Sequence, residues 1–377
     1  MPEWARRRMR ELLTLIDDRP CAGPSRHCSL TRGARGAPAL TPGLPRTDES
    51  RRPRGKFRCE YRSYRDYDGM NDTVGVVVPC KDEAATIRRC LEALREQRPR
   101  VSRIVVVDNG STDGSDVIAE ELADEVLRLP GVSISELRNR GAAAVEDADV
   151  LAFVDADTEV HPGWLQAGLD ALATGADLVG SRSLPTEGGS WVAGRWAAIE
   201  AARAHGDSKV WSQHLLIRTA CFQQLGGFAD IPTGEDADLS IRLEDLGGTV
   251  ALVPGMVATH HGFPTTVRAF LRRERWHTRA AGWFPRMSRS SRALVCAGAG
   301  WAALGAGALV GAGLTRAPRP AAVWTAGSLL ALPLLGAMTS RRPSTVVRDG
   351  ALLGIWTAVR VVRLPREVAS AARSRPS

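Results

Sequence analysis

Several common signatures are missing from this 377-residue chain. None of its seven cysteines forms a C-x-x-C pair, so zinc spacing and a dithiol redox centre are absent. An odd number scattered from Cys21 to Cys296 is not a disulfide framework, and a reducing, cytosolic setting is expected. No G-x-G-x-x-G follows the first predicted strand, which excludes a nicotinamide-binding Rossmann domain. The first 69 residues hold no apolar core of signal-peptide length. A uniformly basic surface is missing too, although the formal net charge is +8. Residues 1–69 carry 16 Lys/Arg against 9 Asp/Glu, and residues 341–377 carry 8 against 2, so the body between them is net acidic. Nucleic acid is therefore not an expected partner. Basic ends suit attraction to a membrane surface.

What is present begins after residue 69. The leader, rich in Arg, Pro and Gly, is read as disordered. Met70, followed directly by a strong strand pattern, is expected to be the translation start. From Val74 the chain alternates regularly. Strands are predicted at Val74–Pro79, Arg103–Asp108, Glu125–Leu129 and Val150–Val154. Helices are predicted at Glu83–Gln97, Ser115–Glu125 and Ser133–Asp147. Continuous apolar strands alternating with helices of this length imply βαβ units and a mostly parallel sheet buried on both faces. In such folds ligands bind beyond the C-terminal ends of the strands. The chemistry is therefore expected after Val78, Val107 and Val154.

The last third has a different character. Residues 293–314 and 321–339 carry no charge and are long enough to span a bilayer. Their Gly and Ala content permits close packing in a membrane hairpin. Gly350–Leu364, with Arg360 and Arg363, is predicted to be an amphipathic helix lying in the interface. The expected division is a leader (1–69), a catalytic domain (70–290), two transmembrane helices (291–340) and a basic tail (341–377). The catalytic domain is placed on the cytoplasmic side.

Three acidic clusters fall at predicted strand ends: Cys80-Lys81-Asp82-Glu83, Asp108-Asn109-Gly110-Ser111-Thr112-Asp113, and Asp155-Ala156-Asp157. Acids in a first helical turn also act as dipole caps. Small polar turns also serve only to expose backbone N–H groups. Two carboxylates flanking a small residue can hold a hard divalent cation that bridges a diphosphate.

Taken together and in this order, the segments resemble the family-2 glycosyltransferases of the GT-A fold over roughly residues 74–264. V-V-V-P-C-K-D-E, V-V-D-N-G-S-T-D-G-S and F-V-D-A-D-T are similar to its strand-end motifs. L-R-N-R-G-A at 137–142, L-G-G-F at 225–228 and G-E-D-A-D-L-S-I-R-L at 234–243 are similar to its later segments. The resemblance implies an α/β, Rossmann-like GT-A domain with a mostly parallel sheet flanked by helices. It implies that Pro79, Asp82, Glu83, Asp108, Asn109, Arg138, Asp155 and Ala156 surround the nucleotide sugar. This chain has Asp82 where the family often has Asn, and Asp108-Asn109 where it often has Asp-Asp; which of them meets the base stays open. Asp157, with Asp155 and His260, is implied to bind Mn2+ or Mg2+. Asp236, with Glu235 second, is implied to be the base in an inverting transfer. Arg275 and Trp276 resemble part of the Q-x-x-R-W motif of processive members, with Arg272 at the Gln position, and are assigned to the acceptor side.

The implied activity is transfer of one sugar from a nucleoside-diphosphate sugar, with a uridine diphosphate sugar favoured, to a hydroxyl acceptor such as a lipid or cell-envelope precursor. Two alternatives are a sugar-phosphate nucleotidyltransferase and a non-catalytic membrane scaffold. The first needs a Gly-rich phosphate loop after the first strand, which C-K-D-E does not supply.

Overall fold

The computed structural model describes residues 72–203, 210–278, 287, 289–315 and 343–373. Four parallel strands form its first half: β1 (Val74–Cys80), β2 (Arg103–Asp108), β3 (Glu125–Arg128) and β4 (Val150–Val154). β1 is apolar because both of its faces are covered. Alternation sends Val74, Val76 and Val78 into one core and Val77 into the other. The first core is closed by α1 (Ile87–Arg95), which contributes Ile87, Cys90, Leu91 and Leu94, with α2 (Ser115–Leu122) and α4 (Trp164–Ala173). α3 (Ile134–Ala144), α6 (Thr219–Gln224) and α7 (Glu235–Asp245) close the second.

β8 (His214–Arg218) runs antiparallel to β4 and to β6 (Leu178–Gly180), and β9 (Val250–Leu252) pairs parallel to β6. The seven-stranded order is β3-β2-β1-β4-β8-β6-β9, mostly parallel as expected. A second sheet, β5-β10-β7, joins β5 (Thr158–Val160), β10 (Ala258–His260) and β7 (Leu184–Pro185). The apolar stretch over 249–258 is divided between β9 and β10, which belong to different sheets.

The R-N-x-G segment on α3 has a physical role at each of its fixed positions. Arg138 enters the site described below. Asn139 donates to Phe228 O and accepts from Phe228 N, both at 2.9 Å, tying down the L-G-G-F turn. Gly141 lets α3 sit directly on the sheet, since a Cβ there would lie 2.3 Å from Val77 Cγ1.

A third core departs from the sequence-based division. α5 (Trp191–Arg203), α8 (Val267–His277), α9 (Arg289–Thr315) and α10 (Val346–Arg373) pack together through Val192, Trp196, Phe270, Val295, Leu352 and Trp356. The segment predicted to lie in a membrane interface is therefore α10, with its apolar face against the domain. Asp349 is fully buried and forms a bidentate pair with Arg195, at 2.7 Å from Nε and 2.6 Å from Nη2. The body built around the sheet consequently includes residues well beyond 290.

The first predicted span falls on α9, and the second lies outside the described residues, as do the leader and Met70. Among the described residues no helix is long and apolar enough to cross a membrane.

Candidate active site

The loops after β1 and β2 hold each other in place. Asp82 has φ +54°, a left-handed conformation that Asp and Asn adopt more readily than most residues. Its Oδ1 accepts from Thr112 N at 2.8 Å, and its own N–H donates to Ser111 Oγ at 2.9 Å. Asp108 is buried and accepts from Gly110 N at 2.9 Å and from Ser111 N. Asn109 accepts from Gly131 N at 2.6 Å and donates to Val132 O at 3.1 Å. Asp82 and Asp108 are thus occupied in building the loops. Pro79, Glu83 and Asn109 line the cavity beside them. Burial pushes the Glu83 carboxyl above its usual range, against the lowering effect of the Thr86 hydroxyl that donates to it at 2.7 Å.

β4 delivers Asp155, Ala156 and Asp157 to the same cavity. Arg138, buried on α3, donates from Nη2 to Asp155 Oδ1 at 2.7 Å and from Nη1 to Glu235 Oε1 at 2.6 Å. One guanidinium therefore joins the strand-end motif to the first turn of α7. Asp157 faces β10 instead, with Oδ2 3.0 Å from His260 Nε2. Gly262 permits this approach, because a Cβ there would lie 2.0 Å from Asp157 Oδ2.

A divalent cation needs several oxygen or nitrogen ligands around one point. Among the described residues no group of three or more His, Cys, Asp and Glu side chains converges on one point. Asp157 and His260 do converge, and His260 Nδ1 is buried without a hydrogen-bond partner. An oxygen and an imidazole nitrogen suit Mn2+, and Mn2+ or Mg2+ in phosphate sites takes its remaining ligands from phosphate oxygens and water. The pair fits such an ion, whereas Asp155 is turned toward Arg138.

In the first turn of α7, Asp236 Oδ2 accepts from Ser212 N at 3.2 Å, and Oδ1 accepts from Ala237 N at 2.6 Å. Burial, then the neighbouring Glu235 charge, push the Asp236 carboxyl up to about 6. Glu235 is held by Arg138, so the two adjacent acids are placed differently.

Arg138, Asp155, Asp157, His260, Glu235 and Asp236 all line one cavity of about 790 Å3. Of the acceptor-side pair, Trp276 reaches its lining and Arg275 does not. The helical period turns Arg273, Glu274 and His277 inward instead. The sequence also gave no sign of Trp196 and Glu200 on α5, or of Trp356 and Arg360 on α10, which complete the wall. They come from two helices far apart along the chain, without a shared local motif. Arg182, in the loop before β7, stacks over Trp211 at 4.0 Å.

The chain matches glycosyl transferase family 2 over residues 75–218 and glycosyl transferase family group 2 over residues 150–339. Glycosyltransferase AglE of Haloferax volcanii is 28% identical over 207 residues, which are 51% of this chain and 67% of that protein. Succinoglycan biosynthesis protein ExoA of Rhizobium meliloti is 33% identical over 192 residues, 46% of this chain and 58% of that one. The match thus spans only part of each relative. Among solved structures, mannosyltransferase PcManGT from Pyrobaculum calidifontis, in complex with GDP-Man and Mn2+, aligns with a TM-score of 0.54 at 20% identity. That alignment covers 78% of this chain and 88% of the other, a likeness of fold.

Proposed function

The chain belongs to the family-2 glycosyltransferases, and on that premise we propose that it transfers a single sugar from a nucleoside-diphosphate sugar, a uridine diphosphate sugar by preference, to an acceptor hydroxyl. The observation that carries this reading is a single cavity lined by both sets of groups. The Asp157–His260 pair and the carboxylate of Asp236 open onto one cavity, with Arg138 fixing the acids between them. Asp157 and His260 would hold Mn2+ or Mg2+, which would supply positive charge to neutralise the departing diphosphate. Asp236 accepts the proton of the acceptor hydroxyl as its oxygen bonds to the anomeric carbon and the bond to the diphosphate oxygen breaks. Attack from the face opposite the leaving group inverts the anomeric centre. Arg138 orients Asp155 and Glu235 through one hydrogen bond to each, which leaves Asp236 as the base. The acceptor belongs to a lipid or cell-envelope precursor, with the chain at a membrane and its site on the cytoplasmic side. The apolar segment at 321–339 and the basic ends support that placement.

The test is thermal melting of the full chain with uridine-, guanosine- and thymidine-diphosphate sugars, with and without Mn2+. One nucleotide class is expected to raise the melting temperature only with metal, and Asp157→Ala is expected to lose the effect. A folded protein indifferent to every donor sinks the reading.

A further inference from the structure

Behind the Asp157–His260 pair, three buried polar atoms have no hydrogen-bond partner: Thr158 Oγ1, His214 Nε2 and His260 Nδ1. Thr158 and His214 are at most 1% exposed, and of the three residues only His260 lines the cavity. Strand alternation turns all three side chains into one core. Val160 of β5, Leu216 of β8 and Ala258 of β10 belong to the core closed by α1, α2 and α4. Thr158, His214 and His260 each stand two residues from one of them on the same strand, and so share its face. Thr158 and His260 are also register partners across the β5–β10 pair, which sets their side chains next to each other. Burial, then the charge of His260, lower the pKa of His214, so the two rings lie close.

What each ring already touches fixes what its free nitrogen can do. Trp164 Nε1, which can only donate, lies 3.1 Å from His214 Nδ1. The neutral His214 ring therefore accepts at Nδ1 and carries its proton on Nε2, which is a donor. His260 presents Nε2 to Asp157 at 3.0 Å. Where Nε2 serves as a metal ligand, the proton of the ring sits on Nδ1, a second donor that needs an acceptor. Two donors cannot bond each other. One oxygen able to accept from both satisfies them.

We propose that a buried water, held by His214 Nε2 and Thr158 Oγ1, bonds His260 Nδ1 and so aims the ring at the cation, which makes Thr158 and His214 positioning residues for the metal site. The purpose rests on the glycosyl-transfer reading, whereas the water itself does not. Three polar partners are what a buried water commonly has. A water donates as well as accepts, so it also serves Nδ1 when that nitrogen is bare and Nε2–H donates to Asp157. His260 can thus pass from Asp157 to a cation without leaving a buried nitrogen unpartnered.

Two measurements on the full chain test this. In metal-free protein carrying nitrogen-15 histidine, the His214 Nε2–H proton is expected to show an NMR cross-peak to a long-lived water, and Thr158→Val is expected to abolish it. Electron paramagnetic resonance of free Mn2+, with uridine or guanosine diphosphate present, measures metal affinity. That affinity is expected to fall about tenfold in Thr158→Val and in His214→Asn, and to be kept in Thr158→Ser, which retains the hydroxyl. The Asn side chain still offers Trp164 an acceptor but stops short of the Nε2 position. Melting curves report the folding of each variant, and Val117→Ser, on the exposed outer face of α2, is expected to match the parent. Absence of the water cross-peak in the parent, or unchanged Mn2+ affinity in both folded variants, overturns the proposal. So does a loss in Thr158→Ser equal to that in Thr158→Val, which marks a packing effect. A parent that binds no Mn2+ with either nucleotide counts against the glycosyl-transfer reading, and the cross-peak alone then supports or overturns the water.

Discussion

Adjacent acids at the start of α7 differ in what surrounds them. Glu235 accepts from a buried guanidinium, whereas Asp236 is raised to about 6 by burial and by its neighbour. A base must be ionised to act, so kcat is expected to rise with pH through about 6 and level off above it. Asp236→Asn is expected to lower kcat by about 100-fold or more at every pH and to remove that limb; an unchanged pH–rate profile in the variant places the base elsewhere. Beside the metal pair, Gly262 has no side chain because Asp157 occupies the space. Gly262→Ala is expected to weaken Mn2+ binding about tenfold or more, as disturbing the surroundings of a metal ligand commonly does. Calorimetric Mn2+ titration in the presence of nucleoside diphosphate measures it, and equal affinity in the two proteins refutes the assignment.

Among the elements, α10 contributes most beyond what local pattern shows. It meets α5 through the Arg195–Asp349 pair, in which the carboxylate is fully buried. Arg195→Ala leaves that charge unpaired and is expected to cost about 3–5 kcal/mol, read as a fall in the urea midpoint. A loss within about 0.5 kcal/mol, the range of ordinary surface substitutions, means the pair does not hold the helix. The amphipathic period of α10 was plain in the sequence. Its partner was not, because an apolar stripe flanked by arginines suits a lipid interface and a domain surface equally. Arg360 read as part of an interfacial helix and Asp349 carried no local signal; only their partners Glu274 and Arg195, far away along the chain, give them a buried role. α3 is the opposite case. Its fixed positions were visible as a short motif because one helical turn carries the site arginine, the turn-binding Asn139 and the close-packing Gly141.

At the level of the whole molecule, the parallel half of the sheet was legible because burial on both faces makes its strands uniformly apolar. β5, β6 and β7 have three residues or fewer and carry too little pattern to be read. The antiparallel β8 was likewise hidden, since nothing local states a strand's direction. At its start His214 is completely buried and accepts from Trp164 Nε1 at 3.1 Å. Burial, then the His260 charge, lower its pKa to about 3. The folded form therefore binds fewer protons than the unfolded form between about pH 3 and the ordinary histidine value near 6.5, and stability is lost as pH falls through that window. Compared with His214→Gln, which cannot titrate, the parent protein is expected to lose relative stability below pH 6.5. The slope approaches about 1.4 kcal/mol per pH unit. Denaturant titrations of both proteins at pH 7.5 and 5.5 measure it, and parallel pH profiles refute the assignment.

The order of synthesis gives the docking of α10 a further meaning. Domains fold as they leave the ribosome, N-terminal parts first. The sheet, Asp157, His260 and Asp236 emerge well before residues 346–373. During that interval the nascent chain already holds the residues of its donor side and its base, while the wall carrying Trp356 and Arg360 has yet to be translated. A chain interrupted after the sheet would keep that half-built cleft, so α10 acts as a seal applied after the rest of the cleft is made.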